Sequence, residues 1–444
     1  MNIARIWNKH KQANSPLKRK VFVAMSGGVD SSVAALLLKE QGYDVVGVFM
    51  RCFNLDGCQE RDAEDARRVA GHLGIPFYVW DFEREYKKRV VEYMVDGYRK
   101  GITPNPDVMC NKEIKFGLFL ARALEAGADY IATGHYVQVA KSREQRAESK
   151  EHIANSQKNA PSAISYKLYA ARDAQKDQSY FLWTLTQDEL AHCLFPIGEY
   201  TKPEVREMAR KAGLPTAEKK DSQGICFLGK VTLGDFLREY IPEKRGEVLL
   251  ALSDVEGSMK YKKIGEHSGA EFYTIGQRHI GVANSKWQPR RKVGAPTEAS
   301  GMAYSKEQRT KGKDPKPLYV ASKDVRSNTV TVAEGSENPA LYRKEISLTS
   351  VSFINLKHTN ILEYVGMSRT QVFARVRYRQ PLAKATLLLS NSRELESSEG
   401  NAKLIFDEPQ KFIAPGQSAV FYLPSVALAK EGIGMEMLGG GVIV

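Results

Sequence analysis

Short apolar runs alternate with amphipathic stretches along the first third of the chain. Residues 21–25 (VFVAM) are apolar and rich in β-branched side chains, which is typical of a strand buried on both faces. The apolar residues of the stretch 63–74 recur at helical spacing and predict one buried helix face. The same patterns predict further strands at 44–50, 76–82 and 129–137, and further helices that begin near residues 33, 83 and 112. Strands that alternate with helices predict an α/β domain with a doubly wound parallel sheet.

The second half of the chain has a different pattern. Residues 226–300 combine one helix with short strands, which predicts a small α+β central domain. From about residue 316 onward, short alternating strands separated by turn residues predict a β-barrel or sandwich. We therefore divide the chain into four parts, which are a basic tail 1–20, the α/β domain 21–225, the central domain 226–300 and a C-terminal β-barrel domain 301–444.

Two stretches lack any periodic pattern. Residues 141–164 are polar and predict a surface insertion or flexible loop within the α/β domain. Residues 285–316 are rich in Lys, Arg, Pro and Gly, which indicates a linker or an exposed loop.

The charge balance narrows the range of partners. The 444 residues include 65 Lys and Arg against 52 Asp and Glu, which gives a formal net charge of +13. A surplus of this size favours a polyanionic partner such as nucleic acid, although a merely basic soluble protein has the same composition. No apolar stretch approaches the ~20 residues that cross a bilayer, so we expect no membrane partner.

Cysteine usage and the N-terminus indicate the compartment. The five cysteines are too few and too scattered for a disulfide scaffold. The spacing of Cys52 and Cys58 is poor for a zinc pair, so we interpret both as ordinary thiols and predict no metal site. The first 20 residues carry six Lys or Arg and no acid, which fits an RNA-contacting tail, a disordered start or an organellar transit sequence. They lack the continuous apolar segment of a signal peptide, and we expect a cytoplasmic protein.

The most informative segment is 26–32 (SGGVDSS), which lies between the first strand and the first helix. Adjacent glycines let the backbone approach a phosphate, and the helix start supplies amides and a positive dipole. The Lys of a P-loop is missing, which argues against transfer of a γ-phosphate. A simple capped βα turn is the alternative interpretation.

Two further motifs place a cysteine in a polar setting. In TPNPDVMCN, Cys110 precedes a predicted helix over 112–124, whose dipole would stabilise a thiolate with help from Lys112 and Lys115. Asp107 is either a general acid/base or a helix cap. In DSQGICF, Cys226 follows a glycine in a polar turn. From spacing alone, either cysteine could instead be structural.

Together these motifs identify a family. SGGVDSS, TPNPDVMCN, ATGHY, KDQSYFL, DSQGICF, FYTIGQR and the late PGQ stand in the order typical of the tRNA-specific 2-thiouridylases, a branch of the N-type (PP-loop) ATP pyrophosphatases. The resemblance is close over residues 21 to about 282 and looser in the predicted barrel. It implies a PP-loop domain that splits ATP between the α- and β-phosphates, with Mg²⁺ neutralising the pyrophosphate. The nucleotide site that it implies consists of Ala24, Met25, Ser26, Gly27, Gly28, Val29, Asp30, Ser31, Met50 and Gly134.

The resemblance also implies a reaction. Members of this family replace the C2 oxygen of the wobble uridine of tRNA with sulfur. It assigns Cys226 as the persulfide carrier and Cys110 as the second catalytic thiol, with Asp107 as acid/base and a separate protein as sulfur donor. The tRNA contacts that it implies are Asn105, Pro106, Asp107, His135, Lys176, Asp177, Gln178, Arg377, Tyr378 and Gln417. His135 can also be a core histidine, and the segment around Arg377 can also be the solvated face of a strand.

Two alternative functions can be compared with these motifs. Another pyrophosphatase, such as an amidating ligase or a tRNA thiolase for a different base, would need an ammonia source or commonly a C-x-x-C pair, and the chain has no C-x-x-C. A basic RNA-binding protein that has lost catalysis would have eroded SGGVDS, Cys110 or Cys226, all of which are present.

Overall fold

The computed structural model describes residues 18–55, 57–143, 164–221, 227–229, 231–253, 259–278, 280, 316–355, 369–389, 400–424 and 434–444. The expectations for most of the basic tail, for the inner part of the insertion 141–164, for most of 285–316 and for Cys226 lie outside these residues.

The strands and helices follow in chain order. The strands are β1 (Lys20–Ala24), β2 (Asp44–Arg51), β3 (Phe77–Asp81), β4 (Tyr130–Ala132), β5 (Gln138–Arg143), β6 (Ile164–Tyr169), β7 (Cys193–Leu194), β8 (Gly246–Ser253), β9 (Met259–His267), β10 (Leu318–Asp324), β11 (Thr329–Glu334), β12 (Tyr342–Phe353), β13 (Arg369–Arg375), β14 (Ala383–Leu389), β15 (Gly400–Lys411), β16 (Ser418–Pro424) and β17 (Met435–Ile443). The helices are α1 (Val29–Glu40), α2 (Cys58–Leu73), α3 (Glu83–Tyr86, Lys87–Val91 and Glu92–Arg99 in succession), α4 (Pro106–Cys110, Asn111–Phe119 and Leu120–Glu125 in succession), α5 (Gln187–Ala191), α6 (Lys202–Lys211) and α7 (Leu233–Arg238). The middle segments of α3 and α4 are π-helical.

The first domain is the predicted doubly wound α/β fold. Its parallel sheet has the order β3-β2-β1-β4-β7. Successive side chains of a strand point to opposite faces, and both faces of β1 are buried. Val21 and Val23 pack with apolar residues of α1, α2 and α6, whereas Phe22 packs with those of α3 and α4. The chain therefore buries the sheet between two layers of helices.

The order of the strands defines a crevice. From β1 the chain adds β2 and β3 on one side of the sheet, and it then returns to add β4 on the other side. The carboxyl ends of β1 and β4 therefore flank the point at which the winding direction reverses, which is where open α/β sheets bind ligands. The SGGVDSS segment follows β1 and the ATGHY segment ends β4, so the two motifs meet at this crevice.

The segment around residues 138–169 departs from the prediction. β5 and β6 form an antiparallel hairpin that includes residues 141–143 and 164 of the predicted insertion. This hairpin pairs with β17 near the end of the chain, through Tyr169 opposite Glu436 and Leu168 opposite Met437. A chain segment inside the α/β domain thus extends the sheet of the C-terminal domain.

The central sheet takes two strands that the sequence assigns to the barrel. Its order is β10-β11-β8-β9, and β11 runs parallel to β8. β10 and β11 therefore belong with the central domain, not with the domain predicted for 301–444. Their alternating pattern is the same in either sheet, so only the partner strand distinguishes the two assignments.

The C-terminal domain is a closed barrel. Neighbouring strands follow the order β12-β15-β14-β13-β16-β17, and a second pairing of β12 with β17 closes the ring. Its interior holds alternate residues of these strands, such as Leu404, Phe406 and Phe421. The barrel predicted from the short alternating strands is thereby confirmed.

Helix α4 begins earlier than predicted. It starts at Pro106, because proline at a first helical position needs no amide partner and the Asn105 side chain caps the helix by accepting from the Val108 amide (3.3 Å). Cys110 is therefore not at the helix start. Since the dipole effect falls off beyond the first turn, the expected stabilisation of a Cys110 thiolate by that helix start is wrong.

Candidate active site at the carboxyl end of the parallel sheet

The loop between β1 and α1 is closed by its own residues. The Ser31 hydroxyl accepts a hydrogen bond from the Ser26 amide (3.1 Å) and donates one to the Gly28 carbonyl (3.2 Å). Gly27 has a φ of +71°, and a Cβ there would lie 2.2 Å from the carbonyl oxygen of Asp62. No side chain of the described residues caps α1, so the first amides of this helix are available to an anion. The site has the form that a phosphate requires.

Gly134 brings the end of β4 against this loop. A Cβ on Gly134 would lie 2.6 Å from the Ser31 amide nitrogen and 2.8 Å from the Asp30 carbonyl carbon. The two backbones approach this closely because Gly134 has no side chain. Gly134 therefore lies against the start of α1, next to the predicted phosphate loop.

Met25 and Met50, the two methionines predicted for the nucleotide site, have different surroundings. Met25 is buried, and its sulfur lies so close to Gly47 that a Cβ there would be 2.5 Å away. Met25 can thus face a nucleotide only through its backbone. Met50 is half-buried near the carboxyl end of β2, the strand beside β1.

Substitution of Gly134 tests the close approach. We expect Gly134→Ala to lower ATP-dependent AMP formation by about tenfold or more, because the added methyl group pushes the loop away from its position. The matched control is Gly71→Ala in α2, where a Cβ would meet nothing within 4 Å. Both variants are compared in AMP formation and in thermal melting. Normal AMP formation by Gly134→Ala would show that the nucleotide does not use this contact.

The ATGHY segment also touches α4. The Tyr136 hydroxyl donates to the Asp30 carboxylate in α1 (2.7 Å), while the His135 ring lies 5.9 Å from that of Phe116 in α4. Lys115 of α4 acts electrostatically on both His135 and Asp107. One short segment therefore connects the phosphate loop to the helix that carries Asp107 and Cys110.

His135 occupies an interior position. Its Nδ1 lies 2.7 Å from the Thr133 hydroxyl, and its ring packs between Phe116 and Phe195. Burial lowers the pKa of His135 well below its ordinary value, and Lys115 lowers it further. The imidazole is therefore neutral in this conformation. Of the two interpretations from the sequence, the structure favours the core histidine.

Asp107 and Cys110 lie on the first segment of α4. Burial raises the pKa of the Asp107 carboxyl, and the nearby Lys115 opposes part of that shift. A raised pKa suits a group that exchanges a proton near neutral pH. Asn105, rather than Asp107, is the helix cap. Cys110 is only 7% exposed, so its thiol is buried in this conformation.

A charged cluster that the sequence did not predict lies beside the loop. Lys202, at the start of α6, contacts both oxygens of Asp30 (2.8 and 2.9 Å) and Asp221 (2.8 Å), although its side chain is only 10% exposed. Lys176 and Arg206 also bind Asp221, at 2.6 and 2.8 Å. Burial acts to raise the pKa of Asp221, but the hydrogen bonds from Lys176 and Lys202 outweigh it and hold the pKa at about 2.

This cluster ties the predicted nucleotide loop to the DSQGICF motif. Asp221 is the first residue of that motif, and Asp30 is the aspartate of SGGVDSS. Lys202 and Asp30 are 172 positions apart, so no spacing in the sequence could reveal the pair. The structure thus brings the aspartate of one motif close to the first residue of the other, while Cys226 itself lies outside the described residues.

Two of the three residues of the KDQ motif, Asp177 and Gln178, form contacts inside the protein. Asp177 is 2% exposed and forms a 2.7 Å ion pair with Arg375 of the barrel. Gln178 accepts a hydrogen bond from the Tyr136 amide (3.0 Å). Lys176 is half-buried against Asp221. In this conformation the Asp177 carboxylate has its partners inside the protein, so a tRNA contact there would require the two domains to separate.

The predicted barrel contacts lie at the same domain boundary. The Tyr378 ring is 4.6 Å from that of Phe181, and Arg377 donates to the Ile275 carbonyl (3.3 Å). Burial lowers the pKa of Arg377. Gln417 donates to the carbonyls of Thr103 (2.9 Å) and Pro104. Arg377 and Tyr378 follow the end of β13 and so lie outside the strand that the alternative interpretation assumed.

Comparison with known sequences decides the family. The chain is 39% identical over 439 residues to the tRNA-specific 2-thiouridylase MnmA of Bacillus licheniformis, an alignment that covers 97% of this chain and 96% of that protein. It is 39% identical to the protein of the same name from Bacillus subtilis strain 168 (96% and 95% covered) and 40% identical to that of Streptococcus mutans (96% and 95%). This chain belongs to the tRNA-specific 2-thiouridylase family.

Three family models match successive parts of this member of the 2-thiouridylase family. One described as a tRNA methyl transferase HUP domain matches residues 19–230, one described as a PRC-barrel domain of the same group matches 234–288, and one described as an aminomethyltransferase β-barrel domain matches 343–443. The third match spans β12 to β17, which form the closed barrel. β10 and β11, which join the central sheet, fall between the second and third matches.

Two further observations concern membranes and metals in this 2-thiouridylase family member. Across the part of the chain that the structure describes, no helix is both long and apolar enough to span a bilayer. Within the same residues, His, Cys, Asp and Glu side chains form no group of three or more suited to a metal ion. Asp30, the carboxylate at the phosphate loop, is engaged by Lys202 and Tyr136.

Proposed function

We propose that this protein is an ATP-dependent tRNA-uridine 2-sulfurtransferase that acts on the wobble uridine. The observation that carries the proposal is the contact of one segment, 133–136, with two sites. Gly134 and Tyr136 lie against the phosphate loop, and His135 lies against the helix of Asp107 and Cys110. An activating nucleotide and a nucleophilic thiol must both reach the same base, and the contacts of segment 133–136 support neighbouring sites for the two.

The first step activates the base. The uracil C2 oxygen attacks the α-phosphorus of ATP, pyrophosphate leaves, and an O-adenylated base results. The start of α1 and the loop amides would bind the phosphates, because a helix N-terminus stabilises negative charge. Lys202 adds a positive charge at the Asp30 side of this loop. The described residues do not form a magnesium cage, and we propose that Mg²⁺ enters bound to the phosphates of ATP.

The second step introduces sulfur. The terminal sulfur of a Cys226 persulfide attacks C2, and AMP leaves with the former carbonyl oxygen. The thiolate of Cys110 then attacks the inner sulfur, which forms a Cys110–Cys226 disulfide and leaves the terminal sulfur and its electron pair on C2. A dithiol reductant restores the two thiols, and a sulfur-donor protein reloads Cys226. The base must leave its stack to reach this site.

Asp107 is proposed as the proton-transfer group at the base. We expect Asp107→Asn to lower the single-turnover rate of thiolation by about 10²–10⁴-fold, the range typical of a lost general acid/base. Because burial raises the pKa of Asp107, the wild-type rate should rise with pH through a midpoint above 3.8, the ordinary value. Rate–pH profiles of both proteins test this role.

The same substitution has an opposite effect on stability. A carboxyl whose pKa is raised in the folded state favours folding while it is protonated, and this contribution is lost as the pH rises through the raised pKa. Asp107→Asn should therefore melt at or above the wild-type temperature at pH 7, with a difference that shrinks as the pH falls toward 3.8. The control is Asp188→Asn, an exposed first-turn aspartate in α5. Lower melting of Asp107→Asn at pH 7 would contradict the buried-charge account.

The remaining parts of the proposal concern binding and location. The net charge of +13 supports attraction to tRNA, whose phosphates attract basic surfaces. Asn105, Pro106 and Asp107 are proposed to face the target base, and Lys176, Arg377 and Tyr378 to contact tRNA near the domain boundary. We propose a cytoplasmic location, where tRNA and reduced thiols are both present.

A single-turnover assay tests the function. Full-length protein is incubated with unmodified tRNA, Mg-ATP and a persulfide or polysulfide donor, which supplies sulfur at the oxidation level of the Cys226 persulfide, and nucleosides are analysed by mass spectrometry. We expect 2-thiouridine at the wobble position together with stoichiometric AMP. AMP without thiolated uridine would retain the adenylation step and reject the substrate or the sulfur route. Binding of tRNA without either product would leave an RNA-binding protein that shares only the fold.

A further inference from the structure

The turn 414–417 of the barrel lies directly against the segment that precedes α4. The Thr103 amide donates to the Pro415 carbonyl (2.7 Å), and the Gln417 side-chain amide donates to the Thr103 and Pro104 carbonyls (2.9 and 3.1 Å). Three hydrogen bonds thus hold two consecutive residues, 103 and 104, at the domain boundary. The next residue is Asn105, which caps α4.

The approach is too close for a side chain at the centre of the turn. Gly416 has a φ of +89°, and a Cβ there would lie 2.9 Å from the Thr103 carbonyl oxygen and 3.0 Å from the Ile102 Cβ. Glycine is thus needed both for the backbone conformation and for the contact.

The turn is fixed to the barrel. The Gly416 amide donates to the Ile443 carbonyl (2.7 Å), and the Ile443 amide donates to the Gln417 carbonyl (2.8 Å). A second link comes from Tyr180, whose hydroxyl donates to the Ser418 carbonyl (2.9 Å) and interacts with Asn105. The position of the Asn105 cap is therefore set from two directions by residues held on the barrel.

We infer that Gln417 is a positioning residue, and that the barrel turn 415–417 holds the start of α4 in the geometry that the target base requires. The inference deepens the proposed function and rests on it for the identity of the base. The sequence resemblance implies that Gln417 contacts tRNA, whereas its amide nitrogen here binds the protein backbone. The barrel would then link the binding of tRNA at a distance to the placement of Asp107 and Cys110.

Two substitutions disturb this contact in different ways. Gln417→Met keeps the length of the side chain and removes both N–H donors. Its control is Gln371→Met, because Gln371 is exposed and donates a hydrogen bond to Thr386 within the barrel. Gly416→Ala keeps the Gln417 amide and pushes the turn away. Its control is Gly127→Ala, which has a similar φ of +83° but meets nothing within 4 Å. The second control measures backbone strain without loss of the contact.

Local readouts separate positioning from tRNA binding. We expect Gln417→Met and Gly416→Ala to speed amide hydrogen exchange over residues 103–110 and alkylation of Cys110 by iodoacetamide in the free protein, each by about tenfold. Single-turnover thiolation should fall by about tenfold or more, with the Kd for tRNA within about twofold of wild type. The controls should change none of these quantities.

The outcomes distinguish the inference from the function on which it rests. Unchanged exchange and alkylation with a tRNA Kd weakened by about tenfold would overturn the positioning role and make Gln417 a direct tRNA contact. Wild-type protein that makes no 2-thiouridine would reject the proposed function. Accelerated exchange in the variants would then still show that the barrel turn holds the start of α4.

Discussion

Replacement of Cys226 by serine is expected to abolish formation of 2-thiouridine and release of AMP, while release of pyrophosphate from ATP continues. Serine cannot carry a persulfide, but adenylation of the base needs only the proposed nucleotide site, at the start of α1 and just after β4. The measurement is paired quantification of pyrophosphate and thiolated nucleoside in a single turnover. Loss of both products would place Cys226 in the nucleotide or tRNA site instead.

Replacement of Cys110 by serine separates the last step from those before it. Sulfur attack on C2 should still occur, so tRNA should remain joined through sulfur to Cys226 and be released by a thiol reductant. The matched control is Cys193→Ser, because Cys193 is buried in β7 and burial raises the pKa of its thiol well above the ordinary value. A normal yield of 2-thiouridine from Cys110→Ser would remove this cysteine from the mechanism.

The second large effect is expected at the ion pair between Asp177 and Arg375. Both side chains are buried, at 2% and 6% exposure, and Asp177 also accepts hydrogen bonds from the amides of Ala171 and Ser179. Removal of one partner leaves the other charge buried and unpaired. We therefore expect Asp177→Leu to lower the free energy of unfolding by about 3–5 kcal/mol.

The control variants show whether pairing or burial is responsible. Asp177→Leu combined with Arg375→Met should lose less stability than the two single changes added together, because no unpaired charge remains. Arg67→Met, which breaks an exposed ion pair with Glu64, should leave the free energy of unfolding close to that of the wild type. Urea unfolding and limited proteolysis of the domain boundary provide the measurements. An additive double variant would contradict the coupling.

Local patterns predicted most elements of the fold, because apolar residues recur at a characteristic spacing in strands and helices. The run 21–25 is apolar throughout, and β1 is indeed buried on both faces. β7 has only two residues, which is too short for a periodic pattern, and the sequence did not predict it. The sheet to which β10 and β11 belong depends on pairing with β8, and nothing in the two strands themselves encodes that partner.

In the candidate site, too, local motifs could be predicted from the sequence, whereas contacts between distant residues could not. SGGVDSS and the glycine of ATGHY could be placed from sequence, since their chemistry lies within a few consecutive residues. Arg375 is 198 positions from Asp177, so the sequence could not distinguish a buried ion pair from a tRNA contact. The sequence predicts that the helix begins at residue 112, whereas α4 begins at Pro106, because proline is favoured at the first position of a helix.

The pairing of β6 with β17 has a consequence for biosynthesis. Lys167 and Glu436, which form an ion pair across these strands, are 269 positions apart, a stretch that a ribosome needs roughly 13–54 s to translate at about 5–20 residues per second. Throughout that interval the β5–β6 hairpin has been made, but its neighbour has not. An unpaired strand edge invites association with other chains. Until β17 has been synthesised, the nascent protein therefore stays unaggregated only if aggregation is slow or if chaperones bind the exposed strand edge.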